Sequence, residues 1–330
     1  MEIKFAPVTI PTLCRFDHFK KCLDSLEACV GSAQTDVFIA LDYPAKENHW
    51  DGYNKINMYL KEKEANNHFK SLRVTRRAHN FGVGKNTLIT TIFQEFDRVI
   101  ISEDDNVFSP NFLLYINKGL SLCENDDKLI YVCGYTYPFA YKFDGNYSFH
   151  NSHFCAWGCA ILRDRYRSIT KELNSGFFKR TFSIKNYLAI RKGGFSLLFT
   201  YMNALFHDLV NDYSYRKTDR VVCVYLILKG YYVIMPSVSK VRNEGWDITG
   251  YSFQNGKQSG LLKQLQERHM RQEIDESLDF DFQGNPLTFF DYNNMITASS
   301  DEWPMSYGQY LINIFKMVMN GLLKKTVAKL

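Results

Sequence analysis

Through the first 134 positions, short unbroken apolar runs alternate with longer amphipathic stretches. Residues 5–11 predict a first strand and 12–17 a turn. Helical spacing follows over 16–29, with Phe19, Cys22, Leu23, Leu26 and Val30 on one side. The run DVFIALD at 36–42 predicts a second, buried strand that ends in a carboxylate. Polar, helix-prone residues occupy 46–67, a short third strand 72–75, a Gly-rich turn 80–84 and a helix about 85–96. A fourth strand leads into consecutive acids, a helix follows over 110–124, and 129–134 is again a strand. This β-α-β-α alternation predicts an α/β fold with a mostly parallel, doubly wound sheet.

After Gly134 the pattern turns aromatic and turn-rich and reads as hairpins. Residues 173–206 set Lys179, Arg180, Lys185, Arg191 and Lys192 among many aromatics, without one acid. A helix over 219–229, a strand over 232–235 and a loop over 239–253 follow. Residues 256–303 are polar and irregular, and a last helix runs over about 307–328. There is no internal repeat. The pattern divides the chain into a domain over 1–253 and an extension over 254–330. Within the domain, 1–134 form one half and 135–253 the other, with 173–206 a basic aromatic insertion.

The strongest chemical signal is DRVIISEDDNVFSPNFLL at 97–114, where Val99, Ile100 and Ile101 stop at Glu103, Asp104 and Asp105. Ligands of open α/β sheets bind outside the carboxyl ends of the strands. Carboxylates there suit a hard divalent cation that bridges to phosphate oxygens. The alternative is a strand-to-helix turn whose acids favour the following helix dipole. The cation reading requires these carboxyls to face a cavity and not to be held by neighbouring arginines.

Composition narrows the class. With 330 residues, 45% hydrophobic, the chain suits one large α/β domain with an appendage. A net charge of +5 without a basic run or zinc-finger spacing argues against nucleic acid. No stretch approaches the roughly 18 apolar residues of a membrane-spanning helix. The N-terminus lacks the apolar core of a secretory signal. The eight cysteines show no CxxC pairing and read as reduced, buried residues of a cytoplasmic protein.

Gly82-x-Gly84-Lys85 fails as a phosphate loop, because His79 and Asn86 stand where glycine and Ser/Thr are required. What remains is either a plain turn or a loop whose amides approach a ligand. Asp42, at a strand end, suits a ribose or base contact as well as an ordinary turn. Pro11-Thr12, Asp42, 80–84 and 103–105 nevertheless all fall where parallel strands deliver them to one rim, as a nucleotide site requires.

Here the chain resembles a known family. VTIPTLCRFDHFKKCLDSL, Asp42, NFGVGKN and ISEDDNVFSPNFLLYI are similar to inverting glycosyltransferases of the GT-A fold. The closest likeness is to the N-acetylglucosaminyltransferase I type and bacterial family 2-type sugar transferases. It continues through SHFCAWGCAILRDRY and TDRVVCVYLILKGYYVIMPSVSKVRNEGWDITGYSF, covering about 5–170 and 210–253. The resemblance implies that Asp105 ligates Mn²⁺ or Mg²⁺ while Glu103 and Asp104 address the ribose and the metal's waters. Pro11, Thr12, Arg15, Asn80, Gly82 and Lys85 would complete the donor side. Inversion needs a carboxylate base, which the family places before the helix at 219–229. Asp219 matches by position and Asp212 is the alternative, although the surroundings of Asp219 lack the family's flanking tryptophans. Trp157 and Gly158 would lie under the acceptor, and Arg242 and Asn243 in a loop closing over the pyrophosphate. Each of these residues also has an ordinary structural reading, as core tryptophan, helix cap or surface loop.

The implied donor is a nucleotide sugar, UDP-linked, and the implied acceptor a glycan or lipid-linked glycan of surface polysaccharide synthesis. The tail over 307–330 carries an apolar stripe with lysines as its only charges. It fits either peripheral contact with the inner face of the plasma membrane or docking on the protein's own core. Two other functions remain open. A sugar-nucleotide nucleotidyltransferase would need a Gly-rich loop after the first strand, and VTIPTLCRFDH has no glycine. A non-catalytic carbohydrate-binding protein would have a degenerate acidic triplet.

Overall fold

A computed structural model describes residues 3–137, 145–151, 153–211, 218–247, 267, 269–284 and 305–327. The opening strands form where apolar runs predicted them: β1 (Val8–Thr12), β2 (Asp36–Leu41), β3 (Ser71–Arg76) and β4 (Arg98–Ile101). β1 pairs in parallel with both β2 and β4, and β2 in parallel with β3. Every residue of β2 is buried, as expected of a strand covered on both faces. α1 (Phe16–Glu27) buries Phe19, Cys22, Leu23 and Leu26, the side chains its spacing placed together. Burying each of the larger ones stabilises the fold by about 1.5–3 kcal/mol.

The other early elements are α2 (Trp50–Ala65), α3 (Ile89–Glu95), β5 (Asn106–Phe108), α4 (Phe112–Asn125) and β6 (Leu129–Cys133). α3 starts later than the pattern suggested. The Asn86 side-chain amide donates to the Ala40 carbonyl (2.8 Å), and residues 86–88 stay outside the helix.

The expected hairpins after Gly134 are not what forms among the described residues. β7 (Tyr147–His150) and β8 (Cys159–Leu162) enter one eight-stranded sheet with β9 (Tyr232–Pro236), in the order β3-β2-β1-β4-β8-β6-β9-β7. β8 runs antiparallel to both β4 and β6, so β4 and β6 point the same way. The α/β class and the doubly wound, mostly parallel sheet are therefore present. The chain builds β1, β2 and β3 in one direction, then returns to place β4 on the other side of β1. β10 (Val241–Asn243) pairs antiparallel with β5 in a separate ribbon.

The remaining helices are α5 (Arg163–Leu173), α6 (Phe177–Thr181), α7 (Ile184–Lys192), α8 (Phe195–Leu209), α9 (Asp219–Lys229) and α10 (Tyr307–Val327). Residues 173–206 are thus mainly helical. The chain falls into two compact units. The first comprises Met1–Phe149, Cys155–Arg165 and Val233–Leu287; the second comprises His150–Phe154, Tyr166–Tyr232 and Thr288–Leu330. The eight cysteines form no disulfide, and all but Cys14 are buried. No helix among the described residues is long and apolar enough to cross a membrane.

Candidate nucleotide site at the sheet's switch point

Strand order reverses between β1 and β4, and the carboxyl ends of strands at such a reversal open a crevice that binds ligands. Thr12 closes β1 and its hydroxyl donates to Asp104, just beyond β4, at 3.0 Å. Arg15, three residues past β1, donates through Nη2 to Asp104 and, at 2.7 Å, to Asp105. Asn243, at the end of β10, donates from its amide to Asp105 (2.6 Å) and to the Asn106 side chain (3.0 Å). The β5–β10 ribbon exists in that register, Asn243 opposite Asn106. The Glu244 amide also donates to the Asp105 carbonyl at 2.8 Å.

Gly245 leaves no alternative packing. A Cβ there would lie 1.8 Å from Asp105 Oδ2 and 3.1 Å from Arg15 Nη1. Asp104 and Asp105 are buried, whereas Glu103 is exposed at the rim. Burial raises the Asp104 pKa, and the Arg15 charge opposes that rise. For Arg15, burial would lower the pKa, but the two carboxyls hold it above its usual value.

These contacts bear on the implied metal. The Asp104 oxygens take Arg15 and Thr12, and the Asp105 oxygens take Arg15 and Asn243. No trio of His, Cys, Asp or Glu among the described residues could hold a metal ion. As folded, the triplet does not fit a resident cation, and the requirement that no arginine hold it is not met. Two buried carboxyls nonetheless share one guanidinium, with Glu103 exposed beside them, so the cluster keeps an excess of negative charge. A bare diphosphate would be repelled there; a diphosphate carrying its own divalent cation would not.

Asp42 makes the turn contacts that were one of the two readings open to it from sequence. Its carboxylate accepts the amides of Tyr43 (2.9 Å), Phe81 (2.8 Å) and Gly82 (2.9 Å). Asn80 adds its side-chain amide to the Tyr43 carbonyl at 2.6 Å. The buried carboxylate therefore ties the β3–α3 loop to the end of β2. Gly82 turns that loop at φ +75°, a conformation glycine adopts without strain. Lys85 is exposed on it. Pro11 lies within β1, opposite Ala40.

Beside Asp42 stands an aromatic corner that the sequence reading missed. Tyr43 meets Trp50 edge-on at 5.5 Å and Tyr53 at 6.4 Å between ring centroids. α2 begins against the end of β1, since a Cβ on Gly52 would sit 1.8 Å from the Cys14 carbonyl oxygen. The corner and Arg15 thus belong to the same rim. Only the bulky residues just after the strand-end Asp42 hinted at it.

Trp157 is half-buried and meets Tyr135 edge-on at 4.8 Å and Trp246 at 5.9 Å. Trp246 stacks flat on His269 at 4.2 Å, and Tyr135 hydrogen-bonds that imidazole. Tyr135, Trp246 and His269 were not singled out from sequence, although Trp246 follows the Asn243-x-Gly245 turn. Gly158 packs tightly, because its Cβ would lie 2.8 Å from Val241 Cγ2. Arg242 faces Glu244 in an ion pair at 2.9 Å.

Asp219 opens α9 in the second unit, while the Arg15 cluster lies in the first. Asp212 and loop residues 248–253 lie outside the described residues.

No family model matches this chain, and no curated protein does. Solved structures do. A mannosyltransferase from Pyrobaculum calidifontis in complex with GDP-Man and Mn²⁺ is 11% identical, with a TM-score of 0.43 over 97% of this chain and 81% of its own. S. aureus TarS 1–349 in complex with UDP-GlcNAc is 16% identical, with a TM-score of 0.32 over 43% of this chain and 39% of its own. TarS 1–349 alone is 11% identical, with a TM-score of 0.36 over 52% of this chain and 50% of its own. The chain thus spans half or less of these TarS structures.

Proposed function

We propose that this chain is a GT-A-type, inverting glycosyltransferase. It would move a sugar from a nucleoside-diphosphate donor, UDP-linked, to a glycan or lipid-linked glycan in surface polysaccharide synthesis. The observation that carries this reading is the Thr12–Arg15–Asp104–Asp105 cluster, buried at the crevice where strand order reverses. The nucleobase suits the faces of Tyr43, Trp50 and Tyr53, and the loop held by Asp42 borders it. The diphosphate faces Glu103 and Arg15, whose guanidinium fork matches phosphate geometry.

A divalent cation, Mn²⁺ or Mg²⁺, would have to arrive with the donor, and it would supply positive charge to the diphosphate. Trp157 offers a ring face to the acceptor sugar. Asp219, with Asp212 the alternative, takes the acceptor's proton. An acceptor built on a membrane lipid would place the protein at the inner face of the plasma membrane.

A thermal-shift screen of nucleotide sugars with Mn²⁺ tests this reading. Ligand at a hundred times its dissociation constant stabilises the folded state by about 2.7 kcal/mol. A rise with one donor, abolished in Asp104→Asn, is expected. Absence of any shift across UDP- and GDP-sugars would overturn it.

A further inference from the structure

The second unit carries a surface that the nucleotide site does not explain. α8 is its centre, with α6, α7, α9 and α10 packed around it. On α7, Ile184 and Leu188 are 79% and 55% exposed. They stand one turn apart, with Arg191 next on the same side. On α10, Leu311, Phe315 and Val318 follow one another at the same spacing and are 47%, 66% and 40% exposed.

The two stripes meet. The Arg191 guanidinium lies 3.6 Å from the centre of the Phe195 ring, and that ring lies 5.3 Å from Tyr307. Arg191 continues the α7 stripe and Tyr307 begins the α10 stripe, so one apolar band runs from helix to helix across Phe195.

Charge identifies what covers the band. Lys179, Arg180, Lys185, Lys192 and Lys316 are exposed on these helices. No acidic residue occurs in 173–206 or after Glu302, and the sequence adds Lys324, Lys325 and Lys329. A second copy of this chain would bring like charge against like charge. An anionic lipid surface offers the opposite charge beside an apolar interior. No described helix is long and apolar enough to cross a bilayer, so the band would lie in the interface plane, as amphipathic helices do.

We infer that the joined α7–Phe195–α10 band seats this protein on the surface of an anionic bilayer. The inference deepens the membrane placement proposed with the glycosyltransfer reading, but it uses no residue of the nucleotide site, so the two fail separately.

Co-sedimentation of the full chain tests it, using phosphatidylcholine vesicles with and without phosphatidylglycerol. The protein is expected to pellet with the anionic vesicles and to be released by salt, because exposed charges are screened within roughly 10 Å at 0.1 M. Phe315→Asp and Leu188→Asp should each cut binding at least about tenfold, one factor of ten being about 1.4 kcal/mol. Both positions are exposed, so melting and UDP binding should stay at wild-type values. Lys185→Glu with Lys192→Glu should weaken binding to the anionic vesicles alone. No pelleting, or equal pelleting of Phe315→Asp, would overturn the inference. So would a concentration-dependent dimer that Phe315→Asp dissolves, since a second copy would then cover the band.

Discussion

Arg15 and Asp105 stand ninety residues apart in the chain and 2.7 Å apart in the fold, joining the end of β1 to the turn after β4. The same guanidinium holds Asp104. Replacing Arg15 by Gln therefore strands two buried carboxyls. Loss of one partner from a buried pair costs on the order of 3 kcal/mol. Urea unfolding should show that loss. Paramagnetic resonance should find Mn²⁺ alone binding the variant more tightly than the wild type. An unchanged midpoint with unchanged Mn²⁺ affinity would refute this role for Arg15.

Gly245→Ala puts a methyl group into the space of the Asp105 carboxylate. Steric strain of this kind costs about 1–3 kcal/mol. UDP affinity should fall with it, because the displaced group belongs to the proposed site. Wild-type melting and wild-type affinity together would show that Asp105 does not depend on this close approach.

Asp42→Asn turns one acceptor oxygen into a donor facing backbone amides. A buried donor left without its acceptor costs about 1–3 kcal/mol. Hydrogen exchange at Phe81 and Gly82 should accelerate in the variant. Equal protection of both amides would mean that the loop is held by something else.

How far the sequence disclosed this arrangement depended on distance along the chain. DVFIALD announced β2, because a strand buried on both faces reads as one apolar run. The acids after β4 marked the crevice, because strand ends deliver ligand-binding groups. Cys159–Leu162 was too short to separate from loop, and its place between β4 and β6 depends on partners about sixty and thirty residues upstream. The helices of 173–206 were hidden because aromatics crowd several faces, blurring the helical period. Arg15 could be assigned to the donor side, but its hold on Asp104 and Asp105 could not be read without the fold. The same is true of the Trp246–His269 stack.

Acid should destabilise the second unit through its histidines. Burial holds His150 well below the usual histidine range and His153 at about 4. The unfolded chain binds protons below about pH 6.5 that the folded chain refuses, so stability falls as pH drops from there toward about 4. The slope reaches about 1.4 kcal/mol per pH unit for each histidine. Stability measured by urea across this window should flatten in His150→Phe. An identical slope in that variant would contradict the assignment.

The central claim is that the Arg15–Asp104–Asp105 crevice receives a nucleoside diphosphate with its cation. Calorimetric titration of UDP in Mn²⁺ and in EDTA, on wild type and Asp105→Asn, tests it most directly. Wild type should bind UDP more weakly in EDTA, and the variant should bind at least about tenfold more weakly than wild type, a difference of about 1.4 kcal/mol. Wild type that binds neither UDP nor GDP, or a variant that binds as tightly as wild type, would contradict it.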